Sequence, residues 1–421
     1  MNRPDTRFDV VVVGTGHAGL PLARRASEAG LSVAGLDVRQ SVVDGLAAGR
    51  SHVSDVPDRD VELMLANGFT PTTDPEVIAR ADVVVICVPT GLDAGGRPDL
   101  GSVREATATV AAHLRIGALV VLESTTSPGT TDEVVRPLIE RATGWTAGEE
   151  FHLAYSPERV DPGNRRFGVR NTPKIVSGHT PLCAKHCAAF YGRFVDSVVV
   201  ARGTREAELA KLLENSYRYV NIALVNEVAT FCHRLGVDVW DVLHCAGTKP
   251  FGFAPFTPGP GVGGHCIPVD TRYLAATAES AGFSFGVLDA AHAVNAGMPA
   301  YVARRAAALL AEHAVPVRGA RVLLLGVTYK QDVPDTRESP AAAVAERLAD
   351  HGMLVGYHDP YRVDLPGFPR ATGEPWPAVA AADLTILLQE HRAYDLGRLA
   401  RTARLLFDTR GKSFGERVHR L

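Results

Sequence analysis

Residues 258–270 combine a glycine-rich backbone with a side chain that could act as a nucleophile. The stretch reads PGPGVGGHCIPVD, so Cys266 follows a run of Gly and Pro and precedes Asp270 by four residues. Gly and Pro at this density predict an ordered loop, rather than a helix or a central strand, that brings backbone close to another group. Cysteine mostly fills buried cores in soluble proteins, and such a loop does not need one. Cys266 is therefore a candidate nucleophile.

The remaining cysteines do not form a pattern typical of a disulfide framework or a metal site. Six cysteines in 421 residues are few, and no pair has the C-x-x-C spacing of zinc and redox sites. Cys87 falls in an apolar strand, and four others fall in helical contexts: Cys183, Cys187, Cys232 and Cys245. We therefore predict no metal, and Cys266 stands apart as the cysteine of a glycine loop.

A second candidate site lies near the start of the chain, where an apolar run leads into closely spaced glycines. Residues 8–19 read FDVVVVGTGHAG and place Gly14, Gly16 and Gly19 in a G-x-G-x-x-G spacing before a helical pattern. Such glycines permit a tight turn, close approach of backbone to a pyrophosphate and close helix packing. The motif alone is weak, but its place between strand and helix, with Asp37 about twenty residues on, makes it specific for a dinucleotide.

Asp37 ends the second apolar strand, SVAGLDV, and indicates which dinucleotide is bound. A carboxylate accepts hydrogen bonds from a ribose diol and repels a 2′-phosphate, which favours NAD over NADP. Further strands at 81–90 (ADVVVICVPT) and 118–126 (ALVVLESTT) complete a doubly wound sheet with ligand-facing loops at its carboxyl ends. The candidate cofactor-binding residues are Gly14, Gly16, His17, Ala18, Gly19, Asp37, Thr90, Glu123 and Ser124.

One long helical pattern, residues 204–236, follows this first domain. Its apolar face carries Leu209, Leu212, Leu213, Ser216, Tyr217 and Val220. Glu208, Lys211 and Asn215 lie roughly opposite, as expected of a solvated polar stripe with an ordinary ion pair. However, Ile222 and Val225 continue on that side, which instead indicates that protein covers both sides of the helix.

A third section begins at about residue 318 and repeats the strand–helix–strand pattern of the opening. Strands are predicted at GARVLLLGVTYK, LVGYHDP, DLTILL and RLLFDTRG, with a helix at ESPAAAVAERLADHG. This section lacks G-x-G-x-x-G, so we expect the dinucleotide in the first domain. The predicted fold is two Rossmann-like, doubly wound α/β domains joined by a helical connector with a long central helix. We divide it into a cofactor domain (1–200), a connector with the cysteine loop (201–300) and a second α/β domain (301–421), with a cleft between the α/β domains.

Composition bounds the class of protein. A hydrophobic fraction of 46% and a charged fraction of 22% are typical of a soluble globular protein. The net charge of -3 gives no basic surface for nucleic acid. The N-terminus has no apolar signal core, and no stretch approaches the ~18 apolar residues of a membrane span. We therefore expect a cytoplasmic protein with no nucleic-acid or membrane partner.

Six blocks in the same order make the chain resemble the UDP-glucose/GDP-mannose dehydrogenase family of nucleotide-sugar 6-dehydrogenases. They are VVGTGHAGLPLA, ESTTSPGTT, YSPERVDPGN, ELAKLLENSYRYVNIALVNE, PGPGVGGHCIPVD and GVTYKQDVPDTRES. The resemblance implies oxidation of a sugar carbon-6 alcohol to a carboxylate with two NAD+ in succession. Within the family, the blocks look most like the branch acting on UDP-N-acetylhexosamines, particularly UDP-N-acetylglucosamine. That branch has Pro after its Asp where this chain has Thr271, so UDP-glucose and dTDP-glucose stay open.

The resemblance also implies roles for the reactive residues. Cys266 would add to the intermediate aldehyde, giving a thiohemiacetal and then a thioester that water hydrolyses. Lys211 would stabilise oxyanions, and Asp270 would act with it, or through a water, as base. Asn215 would donate a second hydrogen bond from the same helix. Two further residues, Glu158 and Thr125, would serve thioester hydrolysis and the orientation of water or substrate.

Binding residues follow from the same resemblance. Arg337 would reach the NAD, and His265 is read as loop structure or a substrate contact. Without the resemblance, the basic residues would be read as surface charges and Glu158 as an ion-pair partner of Arg159. The implied substrate-binding residues are Glu158, Arg159, Lys211, Asn215, Gly263, Lys330 and Arg410.

The resemblance also implies a homodimer or higher homo-oligomer that forms through the connector.

Two other classes fit parts of the sequence. A two-electron dehydrogenase of the hydroxyacid or 6-phosphogluconate type would use a similar layout without a covalent nucleophile. A non-catalytic protein that binds NAD or a nucleotide sugar would keep the fold, since fold does not fix function. Loss of Cys266, Lys211 or Asp270 would indicate the second class, and all three residues are present.

Overall fold

A computed structural model of the chain describes residues 7–164, 166–264 and 266–421, without the side chain of Cys266. The chain forms two compact units: Met1–Glu214 with Arg272–Phe283, and Asn215–Thr271 with Ser284–Leu421. Two of the three boundaries between the units fall inside helices, and the third falls in a connection between helices. Among the described residues, no helix is both long and apolar enough to cross a membrane.

The first unit is built around a mostly parallel sheet. In the described residues its eight strands are ordered β10-β9-β8-β7-β4-β1-β2-β3, and β8–β9 is the antiparallel pair. A 3₁₀ helix (Pro75–Arg80) and a π-helical turn (Thr131–Val135) interrupt the regular elements. These elements are β1 (Phe8–Val13), α1 (Gly19–Glu28), β2 (Val33–Leu36), α2 (Gln40–Ala47), α3 (Asp58–Ala66), β3 (Thr70–Thr72), β4 (Ala81–Ile86), β5 (Gly91–Leu92), β6 (Pro98–Asp99), α4 (Gly101–His113), β7 (Leu119–Leu122), α5 (Arg136–Thr143), β8 (His152–Tyr155), β9 (Lys174–Gly178), α6 (Pro181–Tyr191) and β10 (Val198–Val200).

Buried β-branched residues explain why the central strands of this sheet form. In β1, Val10 and Val12 pack into one hydrophobic core, and Val11 and Val13 pack into another. Side chains alternate across a strand, so a strand covered on both faces needs apolar residues at every position. Along the chain, strands are added first on one side of β1 (β2 and β3) and then on its other side (β4 and β7). The switch lies between β1 and β4, and doubly wound sheets bind their ligands at such a switch.

The second unit contains a parallel sheet and the helices that follow the first unit. In the described residues the strand order is β12-β11-β13-β14-β15, with the reversal between β11 and β13. Two helices, α7 and α9, cross the boundaries between the units. In chain order the elements are α7 (Thr204–Leu235), α8 (Val239–Gly247), α9 (Cys266–Ser280), α10 (Gly286–Glu312), β11 (Arg321–Leu325), α11 (Pro340–Asp350), β12 (Leu354–His358), α12 (Trp376–Ala381), β13 (Leu384–Leu387), α13 (Leu396–Thr402), β14 (Leu406–Asp408) and β15 (Val418–Arg420).

The structure confirms the predicted α/β fold and corrects one local prediction. Residues 258–264 form a loop, but the predicted loop does not extend to residue 270, because α9 begins at Cys266. Pro268 lies in the first turn of α9, where the missing N–H has no helical partner to lose. Asp270 is therefore a helix residue. The predicted three-part division at residues 200 and 300 stays a prediction.

Candidate active site

The glycines between β1 and α1 are fixed by close packing. Gly14 has φ +90°, and a Cβ there would lie 2.8 Å from the carbonyl oxygen of Cys87. A Cβ at Gly19 would lie 1.9 Å from the carbonyl oxygen of Gly14, so strand and helix approach as closely as the backbone allows. A Cβ at Gly16 would meet no atom within 4 Å, so the turn faces open space there. A phosphate can approach backbone at such a turn.

Asp37 is a buried carboxylate at the carboxyl end of β2. It is 5% exposed, and its Oδ2 accepts hydrogen bonds from the N–H and hydroxyl of Thr15, at 3.1 and 3.0 Å. Its Oδ1 accepts from the backbone N–H and Nε of Arg39, at 3.1 and 3.2 Å. Burial raises the pKa of Asp37, but these hydrogen bonds outweigh burial and lower it. Asp37 is therefore a fixed negative charge. Its basic partner Arg39, two residues later in the chain, was not identified from the sequence.

The other predicted cofactor residues lie at the same edge of the sheet. Thr90 and Ser124 are buried, and the Ser124 hydroxyl donates to the Val88 carbonyl at 2.7 Å. Two more, His17 and Ala18, form the turn before α1. The open turn, the buried acid and the strand-end hydroxyls together fit the phosphates and ribose of a dinucleotide.

A buried charge cluster lies behind this edge of the sheet. Glu123, after β7, forms an ion pair with Lys174 at the start of β9, and both side chains are at most 6% exposed. The Tyr191 hydroxyl donates to Glu123 at 2.6 Å. Burial opposes a charge on Lys174, but the carboxylates of Glu123 and Glu158 outweigh burial and raise its pKa. Reasoning from the sequence missed Lys174, because a lysine in a strand pattern gives no signal of burial.

Glu158 lies in the segment between β8 and β9, next to this cluster. Its Oε1 accepts a hydrogen bond from the N–H of Val160 at 2.5 Å, and its Oε2 lies 4.0 Å from Nζ of Lys174. The alternative interpretation of the sequence paired Glu158 with Arg159. Arg159 instead forms its ion pair with Glu214 at 2.6 Å, so its guanidinium is directed to α7.

The polar side of α7 is buried, as Ile222 and Val225 indicated, and it is not a solvated stripe. Glu208 is 0% exposed and Lys211 is 7% exposed, whereas Leu213 on the predicted apolar face is 62% exposed. Glu208 accepts hydrogen bonds from Gly129 N–H at 2.5 Å and from the N–H and hydroxyl of Thr131 at 2.9 and 2.7 Å. It thereby fixes α7, one turn before Lys211, to the segment that also carries Thr125.

The second unit joins two predicted catalytic residues. Nδ2 of Asn215 donates to Oδ2 of Asp270 at 2.5 Å, and the two residues are 5% and 2% exposed. Asp270 lies in the first turns of α9, four residues after Cys266. Burial of a carboxylate is unfavourable unless it is hydrogen-bonded, so this pair is a specific arrangement. The side chain of Cys266 and all of His265, both named in the prediction, lie outside the described residues.

The glycine loop is held by residues that the sequence did not single out. Gly259 N–H donates to Oδ1 of Asn226 at 2.9 Å, and Nδ2 of Asn226 donates to Asn295 at 2.9 Å. A Cβ at Gly259 would lie 2.7 Å from Nη1 of Arg410. A Cβ at Gly263 would lie 2.6 Å from a backbone carbonyl oxygen, so this predicted substrate residue also packs tightly.

The predicted basic residues of the second unit lie at the carboxyl ends of its strands. Arg410 follows β14, and its Nε donates to the Leu388 carbonyl at 2.7 Å. Burial lowers the pKa of Arg410, although the carboxylates of Glu390 and Asp408 oppose this. The other two are Lys330, which follows β11, and Arg337, whose Nη2 is 2.6 Å from Oδ2 of Asp335.

Among the described residues, no three His, Cys, Asp or Glu side chains cluster so that they could hold a metal ion. The arrangements that do occur are a dinucleotide turn with a fixed acid, a buried lysine between carboxylates, a second buried lysine on α7, and an amide–carboxylate pair beside the start of α9. These groups can bind a dinucleotide, stabilise an oxyanion and move a proton.

Comparison with known proteins gives matches along most of the chain. Three models of the UDP-glucose/GDP-mannose dehydrogenase family match: the NAD binding domain over residues 8–195, the central domain over 205–297 and the UDP binding domain over 323–413. The UDP-N-acetyl-D-glucosamine 6-dehydrogenase of Pseudomonas aeruginosa is 36% identical over 84% of this chain and 82% of its own length. The UDP-N-acetyl-D-mannosamine dehydrogenase of Pyrococcus horikoshii is also 36% identical, over 84% of this chain and 83% of its own.

Solved structures agree with these sequence matches. The UDP-D-ManNAc dehydrogenase of Pyrococcus horikoshii has a TM-score of 0.88 at 31% identity, covering 98% of both chains. A UDP-glucose dehydrogenase from Pyrobaculum islandicum has a TM-score of 0.86 at 28% identity, covering 99% of this chain and 98% of that one. The similarity therefore extends over the entire two-unit fold.

Proposed function

Because this chain belongs to the UDP-glucose/GDP-mannose dehydrogenase family, we propose that it oxidises carbon 6 of a UDP-N-acetylhexosamine to the carboxylate in two steps. The chain is an NAD-dependent oxidoreductase that acts on a nucleotide sugar. The relatives are named dehydrogenases, so the alternative of a non-catalytic binding protein has no support from them. What we propose is the number of oxidation steps, the residues that carry them out and the identity of the sugar.

The residues of the first unit fit NAD. The turn at Gly16 leaves room for a pyrophosphate, and the buried Asp37 presents a fixed negative charge where a ribose would lie. When bound, NAD+ accepts a hydride in each oxidation step. The task of the chain is to remove protons and to hold the carbon-6 oxygen while charge develops on it.

Cys266 makes the second oxidation possible. Its thiolate adds to the aldehyde carbonyl, forming a C–S bond, and the oxygen takes up a proton to give a thiohemiacetal. Loss of that proton and of a hydride leaves a thioester. Water then adds to the thioester carbonyl, the C–S bond breaks, and the thiolate leaves with a carboxylate as product. In total, one alcohol, one water and two NAD+ give one carboxylate, two NADH and three protons.

The buried pair of Asn215 and Asp270 is the observation that carries this proposal. A general base in a closed site must be shielded from solvent and held in one orientation to accept a proton. The 2.5 Å hydrogen bond from Asn215 holds the Asp270 carboxylate in one orientation. Lys211, 7% exposed on α7, would stabilise the oxyanions of both oxidations. Glu158 would serve thioester hydrolysis, and Thr125 would orient water or substrate.

We propose UDP-N-acetylglucosamine as the preferred substrate. The relative from Pseudomonas aeruginosa, named for this sugar, supports it. The equally similar Pyrococcus horikoshii relative is named for the mannosamine epimer, so the epimers must be compared directly. UDP-glucose and dTDP-glucose stay as alternatives, because Thr271 follows Asp270 in place of proline.

We further propose a homodimer that forms through α7. One side of this helix exposes a stripe of apolar side chains at helical spacing, between 44% and 62% exposed: Leu209, Leu213, Tyr217, Leu224 and Phe231. A stripe of this length is typical of a surface that a second protein copy covers.

We also propose that the protein is cytoplasmic and that it divides into the three domains predicted from the sequence.

The test is the ratio of NADH to acid for each sugar. The purified protein is incubated with NAD+ and, separately, with UDP-N-acetylglucosamine, UDP-N-acetylmannosamine, UDP-glucose and dTDP-glucose. We expect two NADH per uronic acid and the highest kcat/KM with UDP-N-acetylglucosamine. One NADH per turnover with an aldehyde or ketone product would overturn the four-electron reaction. A higher kcat/KM with another sugar would overturn the substrate assignment alone.

A further inference from the structure

Lys174 is a buried cation between two carboxylates and a peptide carbonyl. It lies at the start of β9 and is 5% exposed. Its Nζ forms the ion pair with Glu123, donates to the Pro157 carbonyl at 3.1 Å and lies 4.0 Å from Oε2 of Glu158. The ammonium therefore contacts two consecutive residues of the segment that carries Glu158.

Stability alone does not explain this arrangement. A buried ion pair loses hydration on both partners, and well-packed apolar residues of similar size are often as stable or more stable. Glu123 also has the Tyr191 hydroxyl as a donor at 2.6 Å. The contacts of Lys174 that an apolar side chain could not replace are those to Pro157 and Glu158.

We propose that Lys174 is a positioning residue for Glu158 in thioester hydrolysis, an inference that rests on the proposed function. The Lys174–Pro157 hydrogen bond fixes the backbone just before Glu158. The Val160 N–H holds Oε1 of Glu158 at 2.5 Å, and the ammonium attracts Oε2. The carboxylate is thereby held at both oxygens in one orientation toward the water that attacks the thioester.

The other titratable groups around Lys174 do not supply a replacement charge. Burial raises the pKa of the thiols of Cys87 and Cys187 and of the Tyr191 hydroxyl, so these groups are neutral at working pH. Without Lys174, Glu123 and Glu158 would face each other with no cation between them. Burial raises the pKa of Glu123 to about 7, so Glu123 takes up a proton once the ammonium is gone. Glu158 then loses the cation beside its Oε2 and the donor that holds the Pro157 carbonyl, and we expect it to lose its orientation.

The experiment uses four variants of the full chain. K174M removes the ammonium but leaves Glu123 buried and unpaired, so it can fail to fold. The double variant E123Q/K174M removes both charges and keeps the fold testable. K174R keeps a cation within reach of the Pro157 carbonyl. K185M, on the exposed face of α6, is the matched control for loss of a lysine in the same unit.

We expect E123Q/K174M to keep its thermal midpoint and the KM for the sugar, while kcat for acid formation falls ten- to a hundred-fold. The acyl-enzyme should accumulate, seen as added mass on the intact protein. K174R should recover most of kcat, and K185M should match the unmodified enzyme.

A double-mutant cycle with E158Q separates positioning from a general structural role. If Lys174 acts through Glu158, adding E123Q/K174M to E158Q should lower kcat by less than about threefold, because coupled residues are not additive. Full additivity, or equal losses in kcat and thermal stability without acyl-enzyme, would overturn the proposal. If the unmodified enzyme makes one NADH per product, the proposed function fails. If it makes two and E123Q/K174M has normal kcat, this inference alone fails.

Discussion

Replacing Glu208 with alanine tests how α7 is fixed to the segment after β7. Glu208 is fully buried and accepts hydrogen bonds from three donors on Gly129 and Thr131, at 2.5 to 2.9 Å. Alanine leaves these donors without an acceptor. A buried donor left without a partner costs about 1 kcal/mol or more, so the three together cost about 3 kcal/mol.

Hydrogen exchange of the peptide that contains Gly129 and Thr131 measures this loss directly. About 3 kcal/mol of local opening free energy corresponds to roughly a hundred-fold faster exchange, since about 1.4 kcal/mol is tenfold. E206A is the matched control, because Glu206 lies exposed on the same turn of α7. kcat should fall as well, since Lys211 follows Glu208 by one turn of the same helix.

Equal exchange of this peptide in E208A and E206A would refute the reasoning. It would mean that the segment is fixed by other contacts and that the burial of Glu208 has no anchoring role. If exchange is faster but kcat is unchanged, Glu208 does fix the segment to α7, but this fixation does not influence Lys211.

Three further predictions concern the cofactor, pH and assembly. G19A should weaken NAD+ binding at least tenfold in a fluorescence titration, because its Cβ would lie 1.9 Å from the Gly14 carbonyl oxygen; unchanged affinity would contradict the close packing. Burial raises the pKa of Glu208 to about 7 from 4.5, so the folded protein holds a proton that the unfolded chain releases between these values. Relative to E208Q, the free energy of unfolding should therefore fall as pH rises from 4.5 through 7, by roughly 3 kcal/mol; parallel profiles in urea unfolding would contradict this. L213R should shift the protein toward monomer in analytical ultracentrifugation, whereas a dimer as tight as that of the unmodified protein would exclude the α7 stripe as the interface.

The fold was predictable because its signals are local. β1 and β4 each end in four consecutive apolar residues, and the Gly14–Gly19 spacing follows a strand directly. Continuous apolar strands that alternate with helical patterns are typical of parallel sheets with both faces covered. α7 was also readable from its period, with observed bounds of Thr204–Leu235.

The surroundings of the site were less predictable, because they depend on contacts between distant segments. Periodicity placed Glu208 and Lys211 opposite the apolar face of α7, and Ile222 and Val225 indicated that protein covers this side, but the sequence did not identify Gly129 and Thr131 as the partners of Glu208. Lys174 meets Glu123 across 51 positions of sequence, and Asn215 meets Asp270 across 55. The start of α9 was missed for a different reason: the glycine run masked the helical residues that follow it.

Covalent catalysis by Cys266 is the central claim, and a trapped intermediate tests it most directly. E158Q, mixed with NAD+ and the preferred nucleotide sugar and quenched with acid, should slow hydrolysis and leave an acyl group on the enzyme. We expect peptide mapping by mass spectrometry to find the uronyl adduct on the peptide containing Cys266, and hydroxylamine to remove it. Acid formation at the normal rate, with no adduct on that peptide in either E158Q or the unmodified enzyme, would contradict a thioester at Cys266.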